Sequence, residues 1–195
     1  MLENPASYLG ADPDKSQQWA RRLGAQSRPR VGLVWSGGFR PEQPELWSTD
    51  ERRNISLAQI CTLNTPGIDF FSLQKGEPAE SQVLAEIGRY WRGDNFFNYA
   101  AELKDFTDTA ALVANLDLVI SVDTSTAHLA AAMGRPVWLL NRFDTCWRWQ
   151  LHRGDSPWYP TLTMFRQTAA ADWSTPLQQI CVALSKLLEH NAAQK

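Results

Sequence analysis

The chain has 195 residues, 44% of them apolar, and a formal net charge of −2. This length suits one compact domain, or one domain with a terminal extension, and is ample for a sizeable core. Near-balanced charge with no Lys/Arg-rich block excludes nucleic-acid binding through a basic surface, and no apolar run reaches the ~18 residues a bilayer requires. The N-terminus, MLENPASYLGADPDK, is polar and has no stretch resembling a signal peptide. Cys61, Cys146 and Cys181 are odd in number and far apart, so they make neither a metal spacing nor a disulfide framework. A reducing cytoplasm is the expected setting.

In chain order, residues 1–14 carry Pro5, Gly10 and Pro13 and read as an extended lead-in. Residues 15–24 read as a short helix closed by Gly24. Together they make an N-terminal extension over 1–28, ahead of a domain over 29–195. Val31 to Trp35 is a buried strand between Pro29 and Gly37. Residues 38–54 hold two prolines and seven charged residues and read as a long irregular loop of a functional kind. Ser56 caps a helix to about Leu63, Ile68 to Leu73 is a second strand, and 74–78 is a loop. Residues 79–91 are helical, with Val83, Leu84, Ile87 and Tyr90 on one side. Asn95 to Tyr99 is a third strand, Thr107 caps a helix to Asn115, and Leu116 to Ser121 is a fourth strand. The segment DLVISVDTSTAHLAAAMGRPVWLL then runs from strand through a tight polar turn into a helix ended by Gly134, and on to a strand over Val137 to Leu140. An aromatic loop over 141–160, a short strand over Leu162 to Phe165 and a C-terminal helix from Asp172 or Ser174 complete the chain.

Continuous apolar strands alternating with amphipathic helices argue for an α/β fold, a single Rossmann-like doubly wound domain with a mostly parallel sheet of about six strands. Ligands of such sheets bind outside the carboxyl ends of the strands. That edge comprises loops 36–54, 74–78, 100–107, 123–126 and 141–160. The turn Asp123-Thr124-Ser125-Thr126 there either simply caps its helix or aims backbone N–H groups and a positive helix terminus at an anion, above all a diphosphate. His128 follows about one turn in. Arg53 and Lys75 lie on the same edge as charge-assisted donors, with solvated surface charge as the plain alternative. Asp123 reads as a turn former. No paired carboxylates stand at metal spacing, so no obligatory metal is inferred. The loop Asn141 to Trp149 and Asp155 to Pro160 is rich in Trp. It is expected partly to bury its rings and partly to form a wall, with Trp147 or Arg148 nearest the ligand edge.

SVDTSTAHLAAAMGRPVW resembles the D-T-x-x-x-H-L-A-A-A-x-G-x-P signature of the heptosyltransferase family, glycosyltransferase family 9. VGLVWSG, RRNISL, SLQKG, DFTDTAALVANLDLVISVDT, GRPVWLL, WRW and DSPWYPTLTMFRQ resemble the C-terminal glycosyltransferase region of bacterial tetratricopeptide-repeat proteins. The likeness runs from about Tyr8 to the final helix.

The resemblance implies the nucleotide-sugar half of a GT-B glycosyltransferase. By motif, Thr124, Ser125, Thr126 and His128, beside Asp123, would hold the diphosphate, and Ser36 and Gly37 would approach it. Arg53 would reach the phosphates, the longer first loop leaving Arg52 and Arg40 open as alternatives. Gln74 and Lys75 would lie by phosphate or ribose, and Asp105, Phe106 and Thr107 would border the base. No cofactor is implied beyond the nucleotide-sugar donor. The expected activity is that of a donor-binding domain of an inverting, metal-independent glycosyltransferase, inactive alone and joined to an N-terminal half and tetratricopeptide repeats. Its catalytic residue is unassigned. The alternatives are a non-catalytic nucleotide-binding or protein-interaction module and, more distantly, a nucleotide-sugar epimerase.

Overall fold

A computed structural model describes residues 7–39 and 41–193. Six strands form one all-parallel sheet: β1 (Arg30–Val34), β2 (Asp69–Ser72), β3 (Phe96–Asn98), β4 (Leu118–Val122), β5 (Val137–Asn141) and β6 (Leu162–Arg166). Their order is β3-β2-β1-β4-β5-β6. The chain winds outward from β1 in one direction and from β4 in the other, so the switch point lies between β1 and β4. The expected sheet is present.

Period-two alternation splits the strand side chains between two cores. Val31, Leu33, Leu118, Ile120 and Leu140 face one side, where they meet Leu57 and Ile60 of α3 (Leu57–Ile60), Val83 of α4 (Ala79–Tyr90) and Leu177, Ile180 and Leu184 of α7 (Ser174–Ala193). Val34, Val119, Val137 and Leu139 face the other. There they meet Trp19 of α1 (Pro13–Leu23), Ala111 to Val113 of α5 (Phe106–Val113) and Ala127, Ala130 and Ala131 of α6 (Ser125–Ala132). The small residues of α6 let it lie close on the sheet.

Four local expectations change. Residues 38–54 are not wholly irregular, because Trp47–Arg53 form α2. Its first turn follows a 3-10 turn opened by Pro44, and its polar sequence carries no apolar stripe to announce it. Asp105, not Thr107, caps α5, because its carboxylate accepts from Asp108 N at 2.9 Å. Leu84 of α4 is exposed, Val83 alone of that helix's large aliphatics being buried. The lead-in falls partly outside the described residues, Pro5 included, while Tyr8 N and Leu9 N both donate to Ala132 O and tie the segment to the end of α6. Among the described residues no helix is long and apolar enough to cross a membrane.

Candidate functional site

Two strand ends meet at the switch point. β1 delivers Ser36 and Gly37, and β4 delivers Asp123 and the start of α6. Between them lies a cleft of about 160 Å³ lined by Ser36, Gly37, Gly38, Arg53, Lys75 and Thr124 to Thr126. Thr124 occupies the N-cap position of α6 in extended conformation, yet its side chain makes no capping bond. The hydroxyl instead lies 2.9 Å from Ser121 Oγ, which donates to Val122 O. The first turn of α6 thus keeps its N–H groups for the cleft rather than spending them on its own cap.

Arg53 closes one wall. Its Nη1 donates to Asp123 O at 3.1 Å, and Nη2 is paired with Asp50 of the same helix. Asp50 is only 6% exposed, so the guanidinium is held by a buried partner. Asn54, just after α2, accepts from Gly37 N at 2.9 Å, and Ile55 N donates to Trp35 O. The long first loop is therefore anchored on the strand it leaves. Arg52 points elsewhere and pairs with Asp144 on the surface at 2.9 Å. Arg40 lies outside the described residues.

Gln74 sits beneath the cleft, buried. Its Oε1 accepts from Trp35 N and Ser36 N, and its Nε2 donates to Ser36 O and Lys75 O. These bonds use the whole amide to lock the β1 and β2 loops together. Lys75 reaches over the cleft, half-exposed, with Nζ donating to Glu80 at 3.0 Å and to Ala100 O at 2.9 Å. Glu80 is held below its usual value: burial pushes it up, but Lys75 and the Gly76 N–H outweigh that.

A second cavity of about 230 Å³ adjoins the first, sharing Lys75, Ser125 and Thr126 with it. It is bordered by Leu103, Lys104, Asp105, Phe106 and Thr109. Thr109, one helical step inside α5, lines this space; Thr107 is exposed and does not.

His128 turns to the other flank of α6. Its Nδ1 lies 2.9 Å from Tyr159 Oη, its ring stacks on Trp149 at 5.0 Å, and its Nε2 is 3.6 Å from Asp123 Oδ1. Burial pushes the Asp123 carboxyl up, but His128, the Trp149 indole N–H and Arg148 offset it and hold the group below the usual carboxylate value. The Trp149 N–H makes no regular hydrogen bond among the described residues, so it acts on Asp123 as a nearby dipole. Burial pushes the Tyr159 phenol up to about 12. Here His128, Tyr8, Trp147, Arg148, Trp158 and Tyr159 enclose a third cavity of about 280 Å³. Trp149 is buried in the core while Trp147 is 73% exposed, so the aromatic loop both packs and presents rings.

The structure thus brings Ser36, Gly37, Arg53, Lys75 and Thr124 to Thr126 around one cleft, with Asp105 and Phe106 beside it. It sets His128, Trp147 and Arg148 around a neighbouring cavity. Thr109 and Tyr159 complete these walls, and Asp50 and Asn54 hold Arg53 and Gly37 from behind; none of the four is expected as a site residue from sequence. For Asp50 the signal was present: Asp50 and Arg53 stand three apart, a spacing that pairs side chains on a helix. Among the described residues no group of three His, Cys, Asp or Glu is placed to hold a metal ion.

The family model for glycosyltransferase family 9 (heptosyltransferase) matches residues 62–185. Protein FlbA of Caulobacter vibrioides is 29% identical over 185 residues, which are 91% of this chain and 29% of that protein. The chain therefore spans under a third of that relative's length. Among solved structures, the ADP-heptose lps heptosyltransferase II of E. coli aligns with 94% of this chain and 54% of its own (TM-score 0.59, 18% identity). A glycosyl transferase family 9 protein from Veillonella parvula aligns with 93% and 54% (TM-score 0.62, 11% identity). The C-terminal domain of a glycosyl transferase group 1 family protein (LpcC) from Francisella tularensis aligns with 92% and 85% (TM-score 0.50, 14% identity). These likenesses show the fold, one half of a GT-B architecture.

Proposed function

The chain belongs to glycosyltransferase family 9 (heptosyltransferase), and we propose that it is the donor-binding domain of an inverting, metal-independent glycosyltransferase, holding the diphosphate of a nucleotide-sugar. One observation carries this reading. Thr124 leaves the first turn of α6 uncapped, and that turn lines a cleft with Arg53 and Lys75. Amide dipoles and two cations converging on one small space suit a doubly charged phosphate pair. As the sugar leaves, charge grows on the nucleoside diphosphate, and fixed donors of this kind stabilise it without a metal. The nucleoside would extend into the adjoining cavity beside Phe106. A facing α/β half, preceded by tetratricopeptide repeats, would supply the acceptor site and the catalytic base. Three free cysteines accord with a reducing, cytoplasmic setting.

The test is a thermal-shift titration with UDP, ADP and GDP. A ligand at one hundred times its Kd adds about 2.7 kcal/mol to the folded state, a rise of roughly 5–10 °C for a domain of this size. Arg53→Ala or Lys75→Ala should each weaken that ligand about tenfold or more. No shift with any nucleotide favours the second reading, an interaction module. That reading draws on Phe39 and Trp47, two exposed rings packed at a tilt with centroids 5.5 Å apart between β1 and the start of α2.

A further inference from the structure

Five of the nine tryptophans, Trp19, Trp35, Trp91, Trp149 and Trp173, are buried in the cores. Of the three exposed ones, Trp47 opens α2, and Trp147 and Trp158 both lie in the connection between β5 and β6. Trp147 and Trp158 meet at right angles, 6.5 Å between centroids, and form a corner of the 280 Å³ cavity. The corner is built. The Trp158 indole donates to Arg148 O at 3.0 Å, and the Arg148 guanidinium sits 5.7 Å from the Trp147 ring. The loop's base is pinned where Gln167 accepts from Phe143 N and Asn141 accepts from Thr145 Oγ1.

The cavity's place relative to the diphosphate cleft decides what it suits. Asp123 stands between the two, its carbonyl taken by Arg53 and its carboxylate turned to His128. The nucleoside-sized space beside Phe106 already adjoins the cleft through Ser125 and Thr126. The aromatic cavity shares no lining residue with the cleft and lies beyond Asp123 on the flank of α6, where His128 Nε2 stands 3.6 Å from Asp123 Oδ1. The cavity's volume of about 280 Å³ falls just below the roughly 300–1,000 Å³ of drug-sized small-molecule sites and suits a single ring system. Two indoles offer flat apolar surface, while Arg148 and Tyr159 offer polar atoms at the rim. A pyranose ring is such a ligand, with a C–H face for the indoles and hydroxyls for a guanidinium and a phenol.

We infer that Trp147, Trp158, Arg148 and Tyr159 form a carbohydrate subsite that stacks one pyranose ring on the flank of α6, across His128 and Asp123 from the diphosphate cleft. The donor-sugar form of this inference rests on the proposed function; the subsite itself does not. The sugar belongs either to the donor or to the acceptor, and the same chemistry serves both.

The experiment uses the full chain and its Trp147→Ala and Trp147→Phe variants, in three calorimetric or NMR titrations. The probes are UDP, ADP and GDP; then UDP-N-acetylglucosamine, ADP-glucose and GDP-mannose; then methyl glycosides of glucose, mannose and N-acetylglucosamine. If the ring is the donor's, Trp147→Ala weakens a nucleotide-sugar about tenfold, leaves its nucleoside diphosphate within twofold, and Trp147→Phe recovers most of the loss. If the ring is the acceptor's, a methyl glycoside binds and loses its binding in Trp147→Ala, while nucleotide-sugars do not change. Glycoside binding that depends on Trp147, with no nucleotide binding at all, upholds the subsite and overturns the diphosphate reading. Nucleotide-sugar and glycoside titrations that are all insensitive to Trp147→Ala, or an absence of binding by both classes, overturn the subsite. Trp147 is 73% exposed, so its truncation leaves the core intact.

Discussion

Arg53 lies across Gly37. A Cβ at position 37 would overlap Nη2 of the guanidinium and stand 2.5 Å from its Cζ. The arginine cannot simply swing away, because Asp50 and Asp123 O hold its two terminal nitrogens. Any side chain at position 37 therefore acts on the site through Arg53. Gly37→Ala should cost about as much nucleotide affinity as Arg53→Ala, and the double variant should lose little more than either single one. Calorimetric titration of the three variants with the nucleotide that binds checks this; additive losses would separate the two residues.

Gln74 governs stability rather than contact. Replacing it by Ala leaves Trp35 N and Ser36 N buried without their acceptor. Each such orphan costs about 1–3 kcal/mol, so a loss of about 2–6 kcal/mol is expected in urea unfolding.

Two glycines should respond oppositely to Ala. At Gly32 in β1 a Cβ would meet Leu73 Cδ1 at 2.7 Å and Leu116 Cδ1 at 2.9 Å, both in a packed core. Overpacking there should cost about 1–3 kcal/mol. Gly88 of α4 is exposed with open space around it, and Gly88→Ala should add about 0.5–1 kcal/mol by restricting the unfolded chain. Unfolding midpoints of the two variants read out both signs.

Asp172 gives a pH signature. The hydroxyls of Ser174 and Thr175, with their backbone N–H groups, hold its carboxyl down to about 2 from an ordinary 3.8. The folded value lies below the unfolded one, so the contribution is full above the ordinary value and is lost as pH falls toward 2. The melting temperature of Asp172→Asn should fall less than that of the parent between pH 5 and pH 2.

Much of this was legible in sequence because the signals were local and periodic. β4, the turn at Asp123 and α6 follow from an apolar run, a polar turn and Gly134, whose φ of +72° suits the end of a helix. α2 was illegible because seven polar-rich residues carry no stripe. Thr107 is a good cap residue and alone is expected to cap α5 from sequence; Asp105, two residues earlier, is the cap through its bond from Asp108 N, which no local pattern reveals. His128 could be placed on its helix but not assigned a flank, since its partner Tyr159 lies 31 residues on, beyond the reach of any local pattern. Arg53 was separable from Arg52 only through contacts with Asp50 and Asp144.

The seat of the diphosphate can be read directly by amide NMR during titration with the nucleoside diphosphate that stabilises the protein. The account predicts that Ser125, Thr126 and Ala127, the first turn of α6, shift most, with Gly37 and Gly38 moving alongside. Saturable binding that leaves those amides still while others respond would contradict it.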